Sequence, residues 1–184
     1  MRVAVVGYSG NVSDDKIRRL KKLCEILGKR MAKENFLILT GGRDGIMELV
    51  SKAVKEAGGT TVGVLPLTPS GSQANPYVDV PIYTGLDFQM RSFIMLHSAE
   101  AVVAIGGEIG TAIEILGAYA QRKRLILLRG TGGWTDRFAS VLIDGKYLDS
   151  RKLVEVQIVD VDPEGDDEEI ERSVEEVIRR IKGI

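Results

Sequence analysis

The sequence contains one cysteine, one histidine and one tryptophan in 184 residues. A lone cysteine excludes an intramolecular disulfide, and without clustered Cys and His there is no pattern for a structural zinc site. No metal is expected. Neither sign of charge is in excess: 25 Lys and Arg stand against 26 Asp and Glu, for a formal net charge of −1. The chain therefore has no global electrostatic pull toward nucleic acid or a membrane surface, and neither is expected as a partner. No apolar run reaches the roughly 18 residues that a membrane helix needs. The apolar stretch at residues 3–6, Val-Ala-Val-Val, is too short for the core of a signal peptide. A cytoplasmic protein is the expectation. Proline is scarce as well, and four of the five prolines lie between Pro66 and Pro81. Elsewhere, regular elements can run without interruption.

What the sequence has in excess is glycine, 21 of 184 residues or about 11%, against a usual share of about 7%. The glycines concentrate at residues 7–10, 41–45, 106–110 and 130–133, each time after a short apolar run. Helix-like segments follow. Ile17, Leu20, Leu23, Cys24, Leu27 and Met31 recur at spacings of three and four, after Ser13 or Asp14 as a cap. Cys24 on that face reads as a small core residue. Ile46, Leu49, Val50, Ala53 and Val54 mark a second helix, which Gly58-Gly59 stops. A third spans residues 86–97, and the tail from Asp166 is amphipathic with an acidic start and a basic end. Strands are expected near residues 3–6, 36–39, 61–65, 80–83, 101–105, 125–128 and 154–161. Residues 67–81 read as an exposed loop, either a plain connector or a cover over a site at the sheet edge.

This alternation predicts a single α/β domain over residues 1–184, Rossmann-like and doubly wound, with a mainly parallel sheet and helices on both faces. In such folds the ligand crevice lies beyond the carboxyl ends of the strands, where all four glycine clusters should meet. The stretch 101–120, AVVAIGGEIGTAIEILGAYA, is the sharpest of these signals. A strand that ends in glycines and opens a helix collects free backbone N–H groups at one point. There the helix's positive end favours an anion such as phosphate.

Gly106-Gly107-Glu108-Ile109-Gly110-Thr111-Ala112-Ile113-Glu114 resembles the PGGxGTxxE signature of the LOG family. Those Rossmann-like proteins were once labelled lysine decarboxylases and include cytokinin-activating phosphoribohydrolases. Arg91 with Met95 matches that family's RKxxM helix, residues 40–47 its GGGxxGLM loop, and residues 58–66 its GGxxxGxxP segment. The resemblance runs from Val3 to about Leu142. It implies a phosphate-binding set of Gly7, Ser9, Gly41, Gly42, Gly45, Met47, Gly106, Gly107, Gly110 and Thr111. It also implies Arg91 and Glu114 as the pair that would carry any catalysis, and a homodimer or higher homo-oligomer.

Three positions depart from the signature: Gly106 stands for its proline, Glu108 for a glycine, and Ser92 for the lysine after the arginine. With GTGGWTDR at residues 130–137, the chain looks more like the branch that includes molybdenum-cofactor carrier proteins. The functional expectation is therefore a binding or carrier protein for a phosphorylated small ligand, a nucleotide (AMP-like) or a molybdopterin-type cofactor. No cofactor is required. The alternative is a nucleoside 5′-monophosphate phosphoribohydrolase, in which Glu114 would position water or stabilise an oxocarbenium-like state and Arg91 would orient phosphate or sugar. A purely structural Arg91–Glu114 ion pair is the plainer reading of those two residues. Glu108 is expected to point outward or to pair with Arg43 or Arg91. Trp134 stacks on a ligand ring or packs on the sheet, and His97 reads as a helix-end residue. No lysine is marked out for a pyridoxal phosphate Schiff base.

Overall fold

The computed structural model describes residues 1–67 and 73–184. Seven strands, β1 Arg2–Gly7, β2 Leu37–Thr40, β3 Thr60–Leu65, β4 Val80–Tyr83, β5 Ala101–Ile105, β6 Arg124–Arg129 and β7 Val156–Asp160, form one sheet in the order β4-β3-β2-β1-β5-β6-β7. Every pairing is parallel. The fold is Rossmann-like α/β, as the alternation predicts. The connections run outward from the centre in both directions, so the strand order reverses between β1 and β5. That is where a crevice opens in open parallel sheets.

The central strands are apolar throughout because both of their faces are covered. Val3, Val5, Ala101, Val103 and Ile105 enter one core with α2 (Lys21–Lys33), α3 (Ile46–Glu56) and α7 (Asp167–Lys182). Ala4, Val6, Val102 and Ala104 enter the other, with α4 (Phe88–Ser98), α5 (Ile109–Ala120) and α6 (Gly133–Ser140). Successive side chains along a strand point to opposite faces, which divides a continuous Val/Ala run between two cores. The tail helix α7 starts with a capping box, Asp166 with Glu169, and ends on Gly183 in the left-handed conformation.

The first helical run is broken where the periodicity predicts one helix. Residues Asp15–Arg18 form a short α1, and the Leu20 N–H bonds the Ile17 carbonyl at 2.9 Å, a tighter i−3 turn. Ile17 and Leu20 are both fully buried, so the apolar face continues across the break. Asp14 occupies the cap position, but its side chain makes no capping bond. The last strand is shorter than the expected 154–161. Of the expected loop at 67–81, residues 68–72 lie outside the described residues. The described part docks on the sheet edge: Asn75 donates its backbone N–H to the Gly42 carbonyl at 2.8 Å and its side-chain amide to the Arg43 carbonyl at 2.7 Å. Among the described residues no helix is long and apolar enough to cross a membrane.

Candidate functional site

A cavity of about 250 Å³ opens at the carboxyl ends of β1 and β2, bounded by α4 and the first turns of α5. Helix α4 brings Arg91 and Ser92 to its wall. Residues four apart share a helix face, so Met95 and Leu96, both fully buried in the second core, fix Arg91 and Ser92 one turn earlier on the inner side. Helix α5 brings Gly110, Thr111 and Glu114 by the same logic, with Glu114 one turn below the helix start. The first bond within α5 runs from the Ala112 N–H to the Glu108 carbonyl at 3.1 Å. The N–H groups of Ile109, Gly110 and Thr111 have no partner of that kind.

Arg91 dominates the electrostatics. Its residue is 5% exposed, and its Nε and Nη1 have no hydrogen-bond partner among the described residues. Burial pulls the guanidinium's pKa down, Glu114 opposes this, and Arg43 adds to it. An arginine stays charged through shifts of this kind. The structural ion pair with Glu114, the plainer reading of these two residues, is not among the ion pairs of the described residues. Glu114 instead lies 2.8 Å from the Ser92 hydroxyl. Burial pushes its carboxyl up, opposed by the Ser92 contact and by Arg91. Leaving a buried charge without its partner costs about 3–5 kcal/mol in measured cases. An anion in this cavity would offset that cost, with Arg91 on one side and the α5 N-terminus on the other.

The structure brings Gly7, Ser9, Gly41, Met47, Arg91, Gly110, Thr111 and Glu114 together around the cavity. Gly41 leaves the guanidinium its space, since a Cβ there would lie 2.7 Å from Arg91 Nη2 and 2.7 Å from Met47 Sδ. Gly42, Gly45, Gly106 and Gly107 lie behind this wall. Gly42 packs on Gly63 and Leu65, Gly45 under the Tyr8 and Ser9 backbone, Gly106 against the Tyr8 ring and Gly107 against Thr111. Their role in the fold is close backbone approach. The Thr111 hydroxyl donates to the Gly7 carbonyl at 3.0 Å, so its one hydrogen ties α5 to β1. The Thr111 backbone N–H is one of the three at the start of α5 without an acceptor in the helix.

Several residues at the cavity were missed by sequence reasoning. Arg43, Asp44, Phe88 and Gln89 line it. Arg43 lies over the Phe88 ring at 5.3 Å from its centroid, and Arg91 at 5.9 Å, so the ring is within cation–π range of two guanidiniums. Charged residues inside a glycine turn, Arg43-Asp44, were the available signal. Glu108 is not paired with Arg43 or Arg91. It meets Lys16 at 3.1 Å, while Lys16 itself stands over the Tyr8 ring. Trp134 packs on Phe138 and Arg137 and does not line the cavity. His97, exposed near the end of α4, lies outside it too.

Comparison with known proteins agrees with this architecture. The profile of the SLOG cluster4 family matches residues 1–161. The chain belongs to that family. An uncharacterized protein of Archaeoglobus fulgidus is 30% identical over 129 residues, covering 70% of this chain and 80% of its own length. The cytokinin riboside 5′-monophosphate phosphoribohydrolase LOG of Oryza sativa is 32% identical over 124 residues, 63% of this chain. That match spans 50% of the rice enzyme's length. Among solved structures, a Northeast Structural Genomics Consortium target is 54% identical with a TM-score of 0.88, covering 100% of this chain and 99% of that one. The molybdenum cofactor binding protein of Rippkaea orientalis is 29% identical with a TM-score of 0.72, covering 98% and 96% of the two chains. These relatives set the chain among LOG-related Rossmann-like proteins.

Proposed function

We propose that this protein binds and carries a phosphorylated small ligand, a nucleotide or a molybdopterin-type cofactor, with the phosphate held between Arg91 and the N-terminus of α5. The carrying observation is the buried guanidinium on the wall of the cavity, two of whose nitrogens have no partner among the described residues. Gly110, Thr111 and Ser9 complete the anion end, and Phe88 with Met47 offers apolar surface to a ring system. The names of the similar structures support a cofactor as cargo. Calorimetry with AMP and inorganic phosphate tests the anion end. Arg91→Ala should weaken both by about 100-fold, since a charge-assisted contact contributes about 1.5–3 kcal/mol. Equal binding by that variant overturns the proposal. Mass spectrometry of the purified protein names any ligand that it retains.

A second reading, nucleoside 5′-monophosphate phosphoribohydrolase, is favoured by one specific observation: Arg91 and Glu114 line the same cavity. The rice relative's name supports it. Free base released from a panel of nucleoside monophosphates, and lost in Glu114→Gln, would make hydrolysis the main activity. Self-association belongs to either reading. The edge strand β4 and the outer face of α4 expose Ile82, Tyr83, Met90, Phe93 and Ile94, an apolar surface of the kind that a second copy covers. A monomeric mass in light scattering would overturn the oligomer.

A further inference from the structure

The Ser92 hydroxyl lies within hydrogen-bond distance of two oxygens. The Phe88 carbonyl is at 3.0 Å and Glu114 Oε1 at 2.8 Å. A serine has one hydrogen to give and lone pairs to receive with. A carbonyl oxygen cannot donate. If Glu114 were ionised, the two acceptors would have to share the single Ser92 hydrogen, and at least one of the two bonds would be bent and weakened. If Glu114 carries a proton, the count closes: its O–H donates to Ser92 Oγ, and Ser92 donates to Phe88. Serines on other helical turns of this chain take that second bond. Ser98 donates to the Ile94 carbonyl at 2.9 Å and Ser173 to the Glu169 carbonyl at 3.1 Å.

We infer that Glu114 stands in the cavity as a neutral carboxylic acid, with Ser92 as the residue that positions its proton. The inference deepens the anion-site reading and rests on it for its consequence. A neutral Glu114 leaves the Arg91 charge uncompensated and available to the ligand. It also presents a proton donor to whatever part of the ligand lies beside it, so that part should be a hydrogen-bond acceptor such as a carbonyl or ring nitrogen. Burial of the carboxyl favours the same state. The charged groups that share the cavity are accounted for. Arg91 from α4 and Arg43 from the loop after β2 are the cations. Asp44 accepts from the Gly10 N–H at 3.0 Å, and Glu108 is paired with Lys16. Helix α6, on the other flank of α5, sends no charged side chain into the cavity.

The test is a carbon-13 NMR titration of glutamate-labelled protein alone, with the Glu114 carboxyl identified as the signal missing in Glu114→Gln. It should titrate above the protein's other glutamates; titration with or below them overturns the inference. Ser92→Ala supplies an independent sign. Removing an acceptor of the acid's proton moves the Glu114 titration down, whereas removing a donor to a carboxylate would move it up, and an upward move overturns the assignment. The consequence is read with sulfate, whose charge is constant across the neutral range. Wild type should lose sulfate affinity by about tenfold as Glu114 ionises, for a like charge placed nearby, and Glu114→Gln should lose none. A wild-type sulfate affinity flat through that titration overturns the coupling. If sulfate binds at no pH while Glu114 titrates high, the proton assignment is upheld and the anion-site reading falls.

Discussion

The two glycine turns that follow β5 and β6 look alike in sequence and end in opposite states. Both follow a buried strand, carry two adjacent glycines and open a helix. At α6 two of the first three helix donors are already taken, the Trp134 N–H by the Gly107 carbonyl at 2.8 Å and the Thr135 N–H by the Gly106 carbonyl at 3.4 Å. Side chains tie the turn further: the Thr135 hydroxyl bonds the Gly106 carbonyl at 2.6 Å, and the Gly130 N–H bonds Asp136 at 2.9 Å. At α5 the first-turn residues Gly110 and Thr111 line a cavity whose wall also carries Arg91, buried and with two nitrogens unpartnered among the described residues. One turn is thus the support on which the other is built. A glycine-opened helix is a candidate anion site only where nothing inside the protein has already taken its N–H groups.

The largest effect should come from separating the two turns. Gly133 has φ of +59°, and a side chain there would overlap the Gly107 carbonyl and lie 2.7 Å from the Tyr8 hydroxyl. Gly133→Val should cost about 3 kcal/mol or more by denaturant unfolding, from left-handed strain and overlap together. An unchanged midpoint would show that the turns do not depend on each other. Gly110→Asp comes next and separates binding from folding. A Cβ at Gly110 meets nothing within 4 Å, and a carboxylate at a helix N-terminus is tolerated or mildly stabilising. Stability should hold while AMP affinity falls by at least about tenfold, or about 1.4 kcal/mol; retained affinity would place the phosphate elsewhere. Thr135→Val is the smallest of the three. It removes one buried hydroxyl bond to Gly106 and should lower stability by about 1 kcal/mol, with AMP affinity kept if α6 acts only as a support.

Much of this site was legible because its parts are local. Arg91 and Met95 are one helical turn apart, as are Gly110 and Glu114, so spacing alone puts each pair on one face. Arg43 went unread as a wall residue because a turn residue's direction depends on what the loop packs against. Here that is Asn75, more than thirty residues away in sequence. Glu108 shows the same limit. Its partner, Lys16, lies 92 residues earlier and comes near only because α1 follows β1, which pairs with β5.

The sequence by itself determined the alternation of strands and helices, the parallel sheet, the two buried faces and the points where glycine turns meet its carboxyl edge. Those follow from periodicity and turn chemistry, which act over a few residues. Only the tertiary structure decided which turn kept its donors, that Arg91 Nε and Nη1 have no partner among the described residues, and that Ser92 stands between Phe88 and Glu114. Each of these depends on which groups from distant segments come within about 3 Å, and hydrogen-bond satisfaction is set at that range.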